Sequence, residues 1–350
     1  MKNTRILGGT SAKLFDLRKF NPEDFNLNKI CGYFNIGSFK KYTKEDNIKI
    51  SHSSHLVFVK TSRGEFVLKF RPLNTCRDII KEFAINNFLI KYRFPTQLMF
   101  TTIKNLPFAK TKTHLITCYK KIPGRPLYSY KLDSKKIKKI NQNIFWLNEL
   151  LSLFLKTQNK KLLEKENIIK RMILLKRDLR SLNPNDDLKI IEDTLKEIYK
   201  FCLSDSKTLI RKPIHSNITL ANMIFDGSEV FVLDLSHVRI DFQLNDLANL
   251  VANCYLLNIK EKNVSLLIND YVGKIGFGQK KLKTLNTFII LHLIRHYFKV
   301  IKIENKISRF SQHYNLLSIL KSEIIIEKKK IINLIMNFTD PMHFGLPANV

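Results

Sequence analysis

The stretch from His55 to Phe70 most narrows the folds open to this chain, because it reads as a tight β-hairpin. His55-Leu-Val-Phe-Val-Lys-Thr61 and Phe66-Val-Leu-Lys-Phe70 alternate β-branched and aromatic residues, and Ser62-Arg63-Gly64-Glu65 supplies the turn between them. After Pro72 the rhythm changes. Ile79, Ile80, Phe83, Ala84, Phe88 and Leu89 recur at helical spacing, which predicts a helix over Arg77 to Tyr92. Two more strands are expected near Gln97 to Thr102 and His114 to Tyr119, and Pro123-Gly124 then breaks the chain.

Residues 131 to 203 and 244 to 338 carry long Leu and Ile spacings between Lys and Glu, which predicts helices, with a break at Pro184. Between these tracts lies a second short hairpin: Asn222-Met-Ile-Phe225, the turn Asp226-Gly227, and Val230-Phe-Val-Leu-Asp234. The order is a small sheet with one helix, a Pro-Gly connector, and a larger helical lobe holding a short hairpin, an α+β architecture of two lobes. The expected division is an N-terminal extension over 1–45, a sheet lobe over 46–122, a helical lobe over 123–340 and a mobile tail over 341–350. Within the extension only Phe15, Leu17 and Phe20 offer themselves as anchors, and the sequence shows no internal repeat.

The chain has 350 residues, 44% of them hydrophobic, enough for one large core or two moderate ones. Its net charge is +30, from 60 Lys and Arg against 30 Asp and Glu. Lys, Asn, Ile and Phe are abundant throughout while Gly, Ala, Pro and Trp are scarce, the pattern an AT-rich genome produces. Basic runs such as Lys135-Lys136-Ile137-Lys138-Lys139 and Lys328-Lys329-Lys330 sit beside helical apolar spacing, so they read as solvated helix faces. Cys31, Cys76, Cys118, Cys202 and Cys254 are scattered singly, which suggests neither a zinc site nor a disulfide framework and fits a reducing, cytoplasmic compartment. No stretch has the length or apolarity of a signal peptide or a membrane span; Thr287 to Val300 carries His292, Arg295 and His296 and reads as a buried helix.

The chemistry-bearing stretch is Ile214-His215-Ser216-Asn217-Ile218-Thr219-Leu220-Ala221-Asn222, followed by the hairpin that ends at Asp234. Asn222 and Asp234 stand at the two ends of a tight hairpin and can offer oxygen atoms to one hard cation such as magnesium. Asn217 can accept a hydrogen bond but cannot take up a proton. His52, His55, His237, His292 and His296 show no metal-ligand spacing.

This stretch resembles the superfamily of aminoglycoside phosphotransferases, choline kinases and homoserine kinases, as a divergent member. The resemblance implies a bilobal, protein-kinase-like fold, with ATP and Mg2+ as cofactors and a small-molecule hydroxyl as acceptor. It maps His215 onto the catalytic loop, where it reads as a hydrogen-bonding scaffold, and Asn222 and Asp234 onto the metal ligands. It also puts Asn217 at the place of the catalytic Asp. Val238-Arg239-Ile240-Asp241 and Asn245-Asp246-Leu247-Ala248 resemble the segment after the metal-binding Asp, with Asp246 structural. Phe66-Val67-Leu68-Lys69 resembles the strand whose Lys touches the ATP phosphates, and Glu82 lies where that Lys has its partner. Lys49 to His55 resembles the nucleotide loop, here without glycine, and Tyr119-Lys120-Lys121-Ile122-Pro123-Gly124-Arg125 resembles the connector past the adenine. Lys69, Glu82 and Tyr119 are therefore the expected nucleotide-binding residues.

Three functions follow as expectations. The first is an ATP-dependent phosphotransferase slowed by the loss of its general base, with Asp241 as a carboxylate that could substitute. The second is a pseudokinase, a binding or scaffolding protein with a protein partner, supported by Asn217 and the glycine-free loop. The third is an RNA-associated protein built on this fold, motivated by charge alone; a nucleic-acid partner is the least expected of the three, and no membrane span is expected.

Overall fold

The computed structural model describes residues 20–42, 54–157, 162–182, 186–205, 210–275, 279–307 and 314–339. Phe15, Leu17, most of the Lys49–His55 turn, Pro184 and the expected tail lie outside them. The chain is a mixed fold with an antiparallel sheet and a larger helical part. It divides into two compact units that interleave along the sequence: Met1–Tyr130, Glu149–Leu162 and Ala221–Val238 form the first, and Lys131–Asn148, Leu163–Leu220 and Arg239–Val350 the second.

In the first unit, the strands β1 (Phe39–Tyr42), β2 (His55–Thr61), β3 (Gly64–Pro72), β6 (His114–Lys120) and β4 (Met99–Phe100) lie side by side in that order. A short β5 (Ala109–Lys110) also pairs with β6. The hairpin closes more tightly than the sequence suggested, with Thr61 opposite Gly64 and His55 opposite Phe70. Strand alternation then sorts β3 onto two faces. Phe66, Leu68 and Phe70 pack with Val57, Val59, Ile116 and Cys118 against Leu27, Ile30, Cys31, Phe34 and Ile36. Val67 turns the other way, toward a cluster with Ile79 of the helix Cys76–Lys91 and with Leu115, Met99 and Tyr119. Lys69 and Arg71 share the face of Val67, where they meet Asp234 and Glu82.

Part of the unreadable extension thus has a structural task. Its helix Leu27–Tyr33, capped by the Asn26 side chain on the Lys29 N–H, covers one face of the sheet, and Phe20 stacks on His55 with ring centroids 4.2 Å apart.

At Pro123-Gly124 the chain turns back within the first unit, and β7 (Arg125–Pro126) becomes the third strand of a small sheet with β9 (Met223–Phe225) and β10 (Val230–Val232). Gly124 has a φ of +106°, and a Cβ there would stand 2.2 Å from the Phe225 carbonyl oxygen. Both the backbone conformation and the contact exclude a side chain. Gly124→Ala is expected to cost about 2–4 kcal/mol in urea unfolding, because the obstacle is backbone and cannot swing away.

The second unit carries a two-stranded ribbon, β8 (Arg211–Ile214) against β11 (Arg239–Phe242), among helices. The apolar stretch Thr287 to Val300 lies inside the helix Gln279–Ile307 and is buried at Phe288, Ile289, Leu291, Leu293, Ile294 and Tyr297. Among the described residues no helix is long and apolar enough to cross a membrane.

Candidate nucleotide and metal site

Asp234 follows β10 with φ 63° and ψ 58°, the left-handed region that costs an ordinary residue about 1–2 kcal/mol. The hairpin that carries it is pinned. The Leu233 N–H donates to the Asn222 carbonyl at 2.9 Å, the Val232 N–H to that of Pro95 at 2.9 Å, and the Thr96 hydroxyl to that of Val232 at 2.7 Å. Asn222 and Asp234 are in this way brought together by backbone pairing at the open end of the hairpin, as the sequence spacing suggested.

The Asp234 carboxylate is half-buried and receives two donors on Oδ1, Lys69 Nζ at 2.8 Å and Ser236 Oγ at 2.8 Å, while Oδ2 lies 3.9 Å from His237 Nε2. Burial works against its charge. The Lys69 ammonium outweighs that penalty, with help from His237 and Ser236, and holds the carboxyl well below the usual carboxylate range. An ionised carboxylate and a carboxamide residue at one hairpin end are the hard-oxygen donors magnesium uses when phosphates and water complete its shell, so the residues present fit that ion. Lys69 presents a compact ammonium charge beside it.

Glu82 has a different partner from the one expected. Its carboxylate receives Arg71 Nη2 at 2.5 Å and the Tyr119 hydroxyl at 2.9 Å, and Arg71 also donates to the Tyr119 oxygen at 2.8 Å. Lys69 and Arg71 lie on one face of β3, and the longer, forked guanidinium takes the carboxylate of the neighbouring helix while the ammonium takes Asp234. Burial opposes the Arg71 charge, but Glu82 and Tyr119 more than offset it. Tyr119 is accordingly committed to a buried triad, its ring in the cluster with Val67 and Ile79, and its hydroxyl is engaged. The signal for this triad was present as an arginine two residues after Lys69, but nothing local chooses between the two cations.

In the second unit the loop after β8 is shaped by Asp246, wholly buried in the first turn of the helix Asn245–Leu256. Its two oxygens accept the N–H groups of His215 at 2.9 Å and Ser216 at 2.7 Å, and Ser216 takes a φ of 64°. Burial pushes the Asp246 carboxyl up to about 6, with His215 and the two N–H groups pulling the other way. His215 is itself fully buried, and its Nδ1 accepts the Asn217 N–H at 3.3 Å. This fits the scaffold reading of His215: it orients the loop, and Asn217 is half-buried on that frame.

Asp241 does not stand ready as a substitute base. It is 1% exposed, and its oxygens accept the Phe242 N–H at 2.7 Å, Asn245 Nδ2 at 2.9 Å and Arg239 Nη2 at 3.2 Å.

No protein-family model matches the sequence, and no curated relative does. Solved structures do resemble it in fold. An amicoumacin kinase in complex with AMP-PNP, Ca2+ and Ami superposes with a TM-score of 0.67 at 13% identity, over 90% of this chain and 94% of its own. A spectinomycin phosphotransferase in complex with ADP and spectinomycin gives 0.63 at 13% identity, over 92% and 99%. A microcompartment-associated aminopropanol kinase gives 0.67 at 9% identity, over 89% and 96%. Likeness over nearly the whole of both chains, at this level of identity, establishes that the chain has the kinase-like fold shared by these small-molecule phosphotransferases.

Proposed function

We propose that this chain is an ATP-dependent phosphotransferase acting on the hydroxyl of a small molecule, with Asn217 in the place of the usual catalytic carboxylate. The observation that carries the reading is the ion pair between Lys69 and Asp234, set on a left-handed aspartate at the end of a pinned hairpin beside Asn222. A strained backbone that holds a charged pair at a hairpin end is the kind of arrangement found at functional sites. The solved neighbours, two of them bound to AMP-PNP or ADP, add support for a nucleotide here.

In this reading Asn222 and Asp234 would hold magnesium, which when bound neutralises charge on the nucleotide phosphates. Lys69 binds the phosphates, and the Arg71–Glu82–Tyr119 triad fixes the strand and helix around it. Asn217 orients the acceptor hydroxyl by accepting its hydrogen bond but leaves the proton for solvent or the product to carry away. Phosphoryl transfer passes through a loose transition state in which positioning and charge matter more than proton removal, so slow turnover is compatible with this loop. Five free cysteines with no partner spacing support a cytoplasmic location.

Thermal unfolding with and without Mg-ATP tests the reading. At about a hundred times its dissociation constant the ligand should stabilise the protein by about 2.7 kcal/mol. No change in melting temperature at millimolar Mg-ATP would overturn it and leave a scaffold with this fold.

A further inference from the structure

We infer that the helical unit contains an oxyanion-binding site built from Arg171, Arg239 and Arg295, which takes a phosphate or carboxylate group. The inference starts from the fate of each charge around the β8–β11 ribbon. The Glu166 N–H donates to the Ile240 carbonyl at 2.8 Å and the Ile240 N–H to that of Glu164 at 2.9 Å, which lays residues 164–166 alongside β11. Glu166 therefore meets Arg239 at 2.5 Å, and the other fork of Arg239 meets Asp241 at 3.2 Å. Asp241 is further engaged by the Phe242 N–H and by Asn245, which in turn bonds His292 Nε2 at 2.8 Å. The two carboxylates are thus in use.

Arg171, in the first turn of the helix Ile168–Arg180, is 9% exposed, and both its Nη1 and Nη2 are buried with no hydrogen-bond partner. Arg239 Nε is buried and unpartnered as well. The charges of Arg295 and Arg239 repel Arg171, and those of Asp241 and Glu166 attract it. Burial and these neighbouring arginines push the Arg171 guanidinium below its ordinary value. A guanidinium nevertheless keeps its proton in a protein, so Arg171 adds a buried cation to a cluster whose two carboxylates already have partners. An unpaired buried charge is costly, and a planar fork with free N–H groups matches the oxygens of a phosphate or carboxylate. Arg239 and Arg295 are only partly buried.

Calorimetric titration at constant ionic strength tests this with three probes: inorganic phosphate, acetate and glycerol 3-phosphate. The wild-type protein is expected to bind phosphate. Arg171→Met, which keeps the volume and removes the charge, should bind it about 10- to 100-fold more weakly. Arg295→Gln, at a more accessible arginine, should also weaken binding and serves if the first variant does not fold. Binding of glycerol 3-phosphate with phosphate identifies the anionic head of a small molecule, and binding of phosphate alone identifies a free-ion site; both support the inference. Absence of binding by all three probes, or equal affinity in wild type and both variants, overturns it. The titrations contain neither nucleotide nor magnesium, so their failure leaves the proposed phosphotransferase reading to its own test.

Discussion

Asn217→Asp is expected to raise the rate of phosphoryl transfer by about 100- to 10,000-fold, the usual contribution of a positioned general base, while Mg-ATP stabilises the variant as much as the wild type. The substitution is nearly isosteric, and the backbone that orders the loop is left in place. The backbone N–H of Asn217 is what His215 Nδ1 receives, and His215 and Ser216 are fixed through their own N–H groups by Asp246. A carboxylate at 217 would therefore inherit an already ordered frame and add the one capability the amide lacks, taking the acceptor's proton. The measurement is ATP consumption with pools of amino alcohols and aminoglycosides, wild type against variant, with melting temperatures recorded alongside. A rate gain with an unchanged melting temperature supports a phosphotransferase working without its base. Mg-ATP stabilisation of both proteins with transfer by neither would instead favour a nucleotide-binding scaffold, because restoring the base would then have nothing to act upon.

The outcome at 217 also bears on what the sequence could disclose. The two hairpins and the helix after Pro72 were legible because their signals are local: alternation around Ser62-Arg63, Asp226-Gly227 between β-branched runs, and apolar residues at helical spacing from Ile79 to Leu89. The placement of Asn222 next to Asp234 followed from the second hairpin alone. Partner choice was not legible. Lys69 and Arg71 occupy the same face of one strand, so the sequence offers both to Glu82, and only the packing of the helix Cys76–Lys91 sends Arg71 there and Lys69 to Asp234. The ribbon of β8 with β11 escaped because each strand is only four residues long, too short for its pattern to stand out, and in one case includes Pro213, which argues against a strand. Asp241 looked available for the same reason: the hydrogen bonds that occupy it come from Arg239 and Asn245, set by that unseen ribbon and the helix after it. Arg171 in an amphipathic helix reads as one more solvated cation, and its burial is a property of the tertiary structure only.

Asp234→Asn is expected to abolish the stabilisation by Mg-ATP and to lower any transfer rate by at least about 1000-fold, since a metal-held phosphate accounts for several kcal/mol of transition-state stabilisation. Asparagine is the informative replacement because it tolerates the left-handed backbone that Asp234 adopts, so the hairpin end is preserved and only the charge is lost. The fold itself should weaken by about 1–3 kcal/mol, less than a fully buried broken pair costs, because both Lys69 and Asp234 retain some contact with solvent. The pH dependence separates this from a packing defect. The folded-state carboxyl is held below its unfolded value by Lys69, so the unfolded chain binds the proton more readily and the contribution of Asp234 is present above about pH 4, where the unfolded group titrates. It is lost as the pH falls below that. The stability difference between wild type and Asp234→Asn in urea unfolding should accordingly stay level from pH 8 to about pH 5 and shrink as the solution is acidified further. A difference that holds constant down to pH 3 would mean that the substitution acts through shape, and the ion pair with Lys69 would lose its place as the electrostatic centre of the nucleotide site.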